Sequence, residues 1–261
     1  MIEFFYYTSP NARKVLMMLE ETETPYEIHW VDILVGDQHS EEYRAVNPNG
    51  KVPAVIDHDA AGGPIRLFES GAILLHLAER SGSLMPTDPA RRAEALSWTF
   101  WQMAGQGPGL GQAAHFVSHA PNHGTSEEYS IERFTREARR LYQVLDDRLA
   151  DREWLADEFS IADIACFPWV RVAKGQGIDV SDFPAVGRWS ARIAERDSAK
   201  VRPEKELGVR VPKSGQYTHE QWKVLFEHGS GDAPPGAAAA VEADASDADE
   251  MACPIPVPPI S

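Results

Sequence analysis

NPNGKVPAVIDHDAAGGPIRLFESGAILLHLAE, residues 47–79, holds two short apolar runs, a glycine-rich turn and a helical stripe. The runs are Ala54–Asp57 and Ile65–Phe68, and HDAAGGP (58–64) between them predicts an antiparallel hairpin. Ser70–Arg80 follows, with Ile73, Leu74 and Leu77 on one face of a predicted helix. Upstream, Ile2–Tyr6 has the apolar and aromatic content of a buried strand. Residues 11–22 place Val15, Met18 and Leu19 at helical spacing, and residues 27–33 alternate through Ile28 and Trp30. Ser40 is positioned to cap a short helix over residues 40–46.

The resulting order is β-α-β-α-β-β-α. A strand–helix–strand start makes a right-handed parallel pair and the hairpin adds an antiparallel one. That is an α/β, thioredoxin-like arrangement. Beyond residue 90 the strand signals stop. Residues 91–104, 127–149, 160–172 and 184–195 all carry helical apolar spacing, as an all-α region requires. GSLMPTDPA (82–90), with two prolines, is the natural joint. The expected division is 1–82 α/β, 83–90 linker, 91–229 all-helical and 230–261 tail. Residues 230–261 hold six acids, six prolines, nine alanines and no Lys or Arg. That composition cannot bury enough apolar surface to offset ordering entropy, so a disordered acidic tail is expected. The other reading is an extended strap in which Ile255, Val257 and Ile260 lie in a groove.

Length and composition bound the rest. The 261 residues suffice for two domains, and 43% hydrophobic with 25% charged residues is an ordinary globular balance. No apolar run approaches the ~18 residues of a membrane span. MIEFFYYTSPN lacks a basic segment followed by an apolar one, so no secretory signal is expected. A net charge of −15 repels nucleic acid and anionic lipid alike. The two cysteines, Cys166 and Cys253, form neither a C-x-x-C pair nor a zinc pattern, which points to a reducing cytosol.

Two places invite a ligand. Val52–Pro53 before the third strand favours a cis peptide bond, which would turn the Val52 backbone outward for pairing with an extended peptide. A trans proline simply starting a strand is the plainer alternative. Glu69 and Ser70 stand where a strand meets a helix. Free N–H groups and a serine hydroxyl suit a ligand carboxylate, while the Glu69 carboxylate suits an ammonium. Together they describe an α-amino acid head; alternatively Ser70 only caps its own helix. Ser160-x-x-Asp163 is a capping-box pattern and is read as structural.

In this order the Val-Pro step, the Glu-Ser pair and the Ser-x-x-Asp box resemble the glutathione transferase superfamily, over residues 1 to about 205. The finer resemblance is to bacterial nu-class, disulfide-bond-reductase-like members. It rests on SPN (9–11), GDQ (36–38), LFESGAILLHLAE (67–79), WTFWQMAGQGPGLGQAAHF (98–116) and IERF (131–134). The resemblance implies glutathione as cosubstrate, with Asn11 near its sulfur. It implies that Gln38, Lys51, Val52 and Pro53 hold the tripeptide, that Glu69 and Ser70 clamp its γ-glutamyl head, and that Arg133 reaches it from the helical domain. Where the family has threonine before Pro-Asn, this chain has Ser9, with Thr8 one place earlier, so either hydroxyl is a candidate sulfur partner.

The chemistry can be argued without the name. A thioredoxin-like domain that works by its own thiol needs a cysteine at the first strand–helix turn. That turn is TSPN, and the first cysteine is Cys166. The thiol must therefore arrive with the ligand. At a pKa of ~8.5 only about 3% is thiolate at pH 7, and lowering the pKa by two units takes ~2.7 kcal/mol. Two charge-assisted hydrogen bonds supply that, from Ser9 and Asn11 at a helix start. Tyr6 and Tyr7 are rival activators, and strand alternation puts one inward and the other outward. Glycines 105, 107, 109 and 111 are expected to break or kink the helix around residues 95–116. His115, His119 and His123 are read as solvated loop histidines rather than metal ligands, because Pro121 interrupts their spacing. The expected protein is a cytosolic homodimer that reduces disulfides with glutathione and holds no metal. The alternatives are a transferase or lyase acting on an aromatic carbon electrophile held by Trp98, Trp101 and Phe116, and a non-catalytic glutathione-binding protein.

Overall fold

Strand β1 (Ile2–Tyr6) seals Ile2, Phe4 and Tyr6 from solvent, the period-two pattern of a strand covered on one face. In the computed structural model, which describes residues 1–209, 211–212 and 215–227, β1 is central. It pairs in parallel with β2 (Tyr26–Trp30) and antiparallel with β3 (Ala54–Asp57), and β4 (Ile65–Phe68) completes the order β2-β1-β3-β4. Ile2 faces Tyr26 on one side and Asp57 on the other. Helix α1 (Pro10–Glu21) makes the crossover, α2 (Glu41–Arg44) starts from a Ser40 cap on Tyr43 N–H, and α3 (Ser70–Ser81) leaves β4. This is a thioredoxin-like domain followed by a helical one. The segment read as a strand to residue 33 ends at Trp30. There the Asp37 carboxylate takes the Asp32 N–H and Asp32 takes that of Leu34, folding the chain into a turn. The expected tail, residues 230–261 with Cys253, lies outside the described residues.

The helical domain begins with α4 (Pro89–Trp101), capped by Asp88. Of the expected break or kink at the glycines, the break does not occur, and the helix is distorted by π-turns instead. A π-turn (Gln102–Gln106), α5 (Gly107–Ala114), a second π-turn (His115–His119) and α6 (Ala120–Asn122) continue one helical path. Gly109 serves close packing. A Cβ at Gly109 would lie 2.7 Å from Leu141 on α7 (Glu128–Arg148), so α5 approaches α7 only without one. Pro121 is tolerated at the start of α6, and His115 and His119 are half-buried rather than solvated in a loop. His115 and His123 stack on Trp222 of α12 (His219–Trp222).

Helix α8 (Ile161–Val170) is buried along nearly its whole length, packed on α1, α3 and α4, with α9 (Pro184–Ala194) beyond. The Ser160–Asp163 capping box is present, and Asp163 does more than the pattern shows. Its fully buried carboxylate accepts from the backbone N–H groups of Ser160 and Leu155 and from the Trp189 indole, at 2.8–3.1 Å. Short helices α10 (Asp197–Lys200) and α11 (Pro203–Glu206) then return the chain to α1.

Asp163→Ala leaves three buried N–H donors unpaired, so it should lower unfolding free energy by about 3 kcal/mol or more in a denaturant titration. Asp163→Asn, which keeps one carbonyl acceptor, should lose less. Burial, partly offset by the donors around it, raises Asp163 to about 6. The folded state therefore holds an extra proton between roughly pH 4 and 6, and this group favours folding as pH falls through that window. The slope should be missing from the Asn variant.

Candidate active site

Ser9 is extended and its Oγ accepts the Ala12 N–H at 3.2 Å, capping α1. The cap uses a lone pair and leaves the hydroxyl proton to donate. Asn11 sits in the first turn, and its Oδ1 accepts from the Trp169 indole of α8 at 3.0 Å. An amide fixed through its oxygen has its N–H₂ direction fixed as well. The sequence-predicted pair thus presents a hydroxyl and an amide donor at the amino end of one helix, where its dipole is positive. Thr8 is oriented differently: its Oγ1 accepts from Arg13 at 3.4 Å.

The tyrosines do not divide as alternation predicts. Strand β1 ends at Tyr6, the chain turns, and Tyr7 is buried against Trp30 with ring centroids 5.0 Å apart. Burial, partly offset by Arg13, pushes Tyr6 up to about 12, and burial raises Tyr7 as well. The Tyr6 hydroxyl faces the Glu204 carboxylate at 3.4 Å.

Glu69 has φ +69° and ψ +113°, a conformation that side-chain-bearing residues rarely adopt. Such strain costs of order 1–3 kcal/mol and collects at ligand clamps. It leaves the Glu69 carboxylate exposed beside Ser70, which is buried at the start of α3. Behind Ser70 lies Lys14, whose ammonium donates to Ser70 Oγ at 3.3 Å and to Gln102 Oε1. Lys14 is 1% exposed, and burial lowers it to about 7, with Cys166 and Glu69 opposing that shift. Gln102 and Met103 open the π-turn that follows α4, and both reach this place. Asn11, Lys14, Glu69, Ser70, Gln102 and Trp169 line one cavity of about 360 Å³ between the two domains.

The Val52–Pro53 bond is cis, and pairing of β3 starts at Ala54, which leaves Val52 outside the ladder. Lys51 is exposed, and its carbonyl is held by the Tyr43 hydroxyl at 2.6 Å and by Asn47. Gln38 is buried on a 3₁₀ turn (Asp37–His39) and donates to the Ile33 carbonyl at 3.2 Å, while its Oε1 has no hydrogen-bond partner among the described residues. Gly50, at φ +61°, touches this turn: a Cβ there would meet the Gln38 carbonyl at 3.1 Å. Arg133 stands apart, exposed on α7 and 5.8 Å from the Phe134 ring, and does not line the cavity. Sequence reading missed Lys14, Gln102 and Trp169. For Lys14 a signal existed, a lone lysine within the apolar run of α1; for the other two none did.

Residues 8–80 match the glutathione S-transferase N-terminal domain and residues 111–197 the glutathione S-transferase C-terminal domain. The disulfide-bond oxidoreductase YfcG of Escherichia coli K12 is 45% identical over 75% of this chain and 91% of its own length. The disulfide-bond oxidoreductase YghU of the same organism is 41% identical over 76% and 73%. A glutathione transferase from Pseudomonas putida, solved with one glutathione disulfide bound per subunit, superposes with a TM-score of 0.73. It is 39% identical and covers 81% of this chain and 92% of the other.

A ligand carboxylate at Ser70 favours protonated Lys14. Binding of S-methylglutathione, which has no free thiol, should therefore weaken several-fold from pH 6 to 8.5 as Lys14 loses its proton. In Lys14→Met that dependence should flatten. Relative to the native protein, the same variant should gain stability as pH falls from 9 to 6, because the unfolded chain keeps the Lys14 proton throughout while the native chain resists it until about pH 7. Glu69→Gly should relieve the backbone strain and hold or raise the melting temperature while weakening S-methylglutathione binding tenfold or more.

Proposed function

The chain belongs to the glutathione S-transferase family, and from that premise we propose that it reduces disulfides with glutathione as the thiol. The observation that carries this reading is the turn at the head of α1. It has no cysteine, yet it presents the Ser9 hydroxyl and a pre-oriented Asn11 amide. Cys166 is sealed in α8, and burial together with Asp163 raises its thiol, so it is inert as a nucleophile. Cys253 lies outside the described residues.

In this reading the γ-glutamyl carboxylate meets Ser70 and the start of α3, and the ammonium meets Glu69. Val52 pairs with the tripeptide backbone, and Gln38, Lys51 and Pro53 border it. Arg133 is assigned to the same ligand from α7. The bound thiolate, held by Ser9 and Asn11, attacks one sulfur of a disulfide RS–SR. That S–S bond breaks, RS⁻ leaves and takes a proton, and a mixed disulfide remains. A second glutathione thiolate attacks the glutathione sulfur, forming glutathione disulfide and releasing the second RS⁻. Two glutathiones are oxidised and two RSH are made for each disulfide reduced.

The aromatic-electrophile alternative loses its residues. Trp98 packs on Trp101 at 5.2 Å and under Arg148, Phe116 stacks on Phe134, and none of the three lines the cavity. We assign the protein to a reducing, cytoplasmic compartment and to a homodimer. The support for pairing is Phe68 on β4 and Phe100 on α4, large apolar side chains left exposed. No helix among the described residues is long and apolar enough to cross a membrane.

Cys166→Ala/Cys253→Ala should keep most of its glutathione-dependent turnover of bis(2-hydroxyethyl) disulfide. Loss of activity in a folded double variant would move the nucleophile onto the protein. Asn11→Ala should lower kcat at pH 7 roughly 10- to 150-fold, the worth of one charge-assisted hydrogen bond, with the deficit shrinking at high pH where glutathione ionises unaided. An unshifted pH–rate profile would leave Asn11 no part in holding the thiolate.

A further inference from the structure

Helical geometry sends neighbouring residues of α1 to different sides. Asn11 and Lys14, three apart, face the cleft; Arg13 and Met17, four apart, face away from it. On that other side a second cavity, of about 230 Å³, opens between the Thr8–Pro10 turn, the end of α8 and the chain after α10. Three arginines line it: Arg13, Arg171 and Arg202.

They are under-compensated. Glu204 pairs with Arg13 at 2.6 Å, but among the described residues neither Arg171 nor Arg202 has a carboxylate within 4 Å. Each makes bonds to neutral carbonyls, Arg171 to Ala199 at 2.9 Å and Arg202 to Ala199 and Val201 at 2.9 and 2.7 Å. Those bonds use one terminal nitrogen of each guanidinium and cancel no charge. The remaining N–H groups of both forks make no hydrogen bond among the described residues. Burial and then the nearby Arg13 lower Arg171 from its ordinary value; burial, Arg13 and Arg171 lower Arg202 as well, with Glu204 and Tyr6 opposing only in part. A protein of net charge −15 thus concentrates positive charge in one small pocket. Free guanidinium forks are the groups that bind carboxylates and sulfonates in bidentate fashion.

The walls define the rest of the ligand. Met17, Phe167 and Val172 supply apolar surface for a few methylenes, and the volume is too small for a large molecule. The rim is the Thr8–Ser9–Pro10 turn, whose Ser9 hydroxyl is assigned to the reacting sulfur. We infer that this pocket receives the acidic end, carboxylate or sulfonate, of a small disulfide substrate, and so makes the enzyme selective for acidic disulfides. The inference rests on the disulfide-reducing reading and leaves its chemistry unchanged.

The test compares kcat/KM, at fixed glutathione, for 3,3′-dithiodipropionate, bis(2-hydroxyethyl) disulfide and cystamine, which are acidic, neutral and cationic disulfides of similar length. The native enzyme should favour the acid over the neutral compound about tenfold or more, and the neutral over the cation. The preference should shrink with added salt. In Arg171→Gln/Arg202→Gln the acid-to-neutral ratio should fall to within about twofold of unity. In Arg171→Lys/Arg202→Lys, which keeps the charge, much of it should remain. The ratio normalises for any general loss of activity or fold. Equal values for acid and neutral in the native enzyme, or a preference that survives in the Gln pair, overturns the inference. If none of the three disulfides is reduced, the disulfide-reducing reading fails instead. Calorimetric binding of 3,3′-dithiodipropionate then reads the pocket alone: binding lost in the Gln pair upholds an acid site, and equal binding rejects it.

Discussion

Helix α1 is enclosed between the sheet and α8, and that packing is the constraint on which the rest of the molecule depends. Seven of its residues are buried, from Ala12 to Leu19, so its rotation about its own axis is fixed by apolar contact on both sides. Fixing the rotation fixes three directions together. Asn11 reaches Trp169, Lys14 reaches Ser70 and Gln102, and Arg13 reaches the Arg171–Arg202 cluster. A slip by one residue would turn each of them by about 100° and scatter the site.

The polar groups inside this interface fix what apolar packing alone would leave degenerate. A buried ammonium or indole N–H without an acceptor is costly, so the two domains can meet only where Lys14, already bonded to Ser70 within its own domain, finds Gln102 and where Trp169 finds Asn11. The π-turn at Gln102–Gln106 lies at this junction, and its first two residues, Gln102 and Met103, line the cavity. The strained backbone of Glu69 is held by its place between β4 and α3. Asp163 plays the corresponding part on the far side of α8, joining the capping box to Leu155 and Trp189. Positioning of the donors at the head of α1 therefore rests on groups far from any reacting sulfur.

The charge distribution follows the same division. The chain as a whole is acidic, yet one side of α1 carries Lys14 and the opposite side carries Arg13 beside Arg171 and Arg202. Positive charge held in low-dielectric walls is focused rather than screened. Cys166, close enough to Lys14 to feel its charge, is kept neutral by burial and by Asp163. The protein thus suppresses its own buried thiol.

Local rules were enough for much of this. The hairpin 54–68, the helix from Ser70, the Ser40 cap and the Ser160–Asp163 box are written in spacing and turn chemistry, which act within a few residues. The absence of cysteine from the first turn and the Glu69–Ser70 pair were equally legible, because they are statements about residue type at a junction. The tertiary structure alone decided the rest. Tyr7 is buried because the chain turns onto Trp30; Gly109 serves the approach of α5 to α7; His115 and His123 stack on Trp222 of α12. Trp169, 158 residues from Asn11, and Arg171 and Arg202, in a separate domain from Arg13, carry no local signal of their partners. Periodicity reports which face of an element is buried, not what lies on the other side of the interface, and that is where the donors of this site are set.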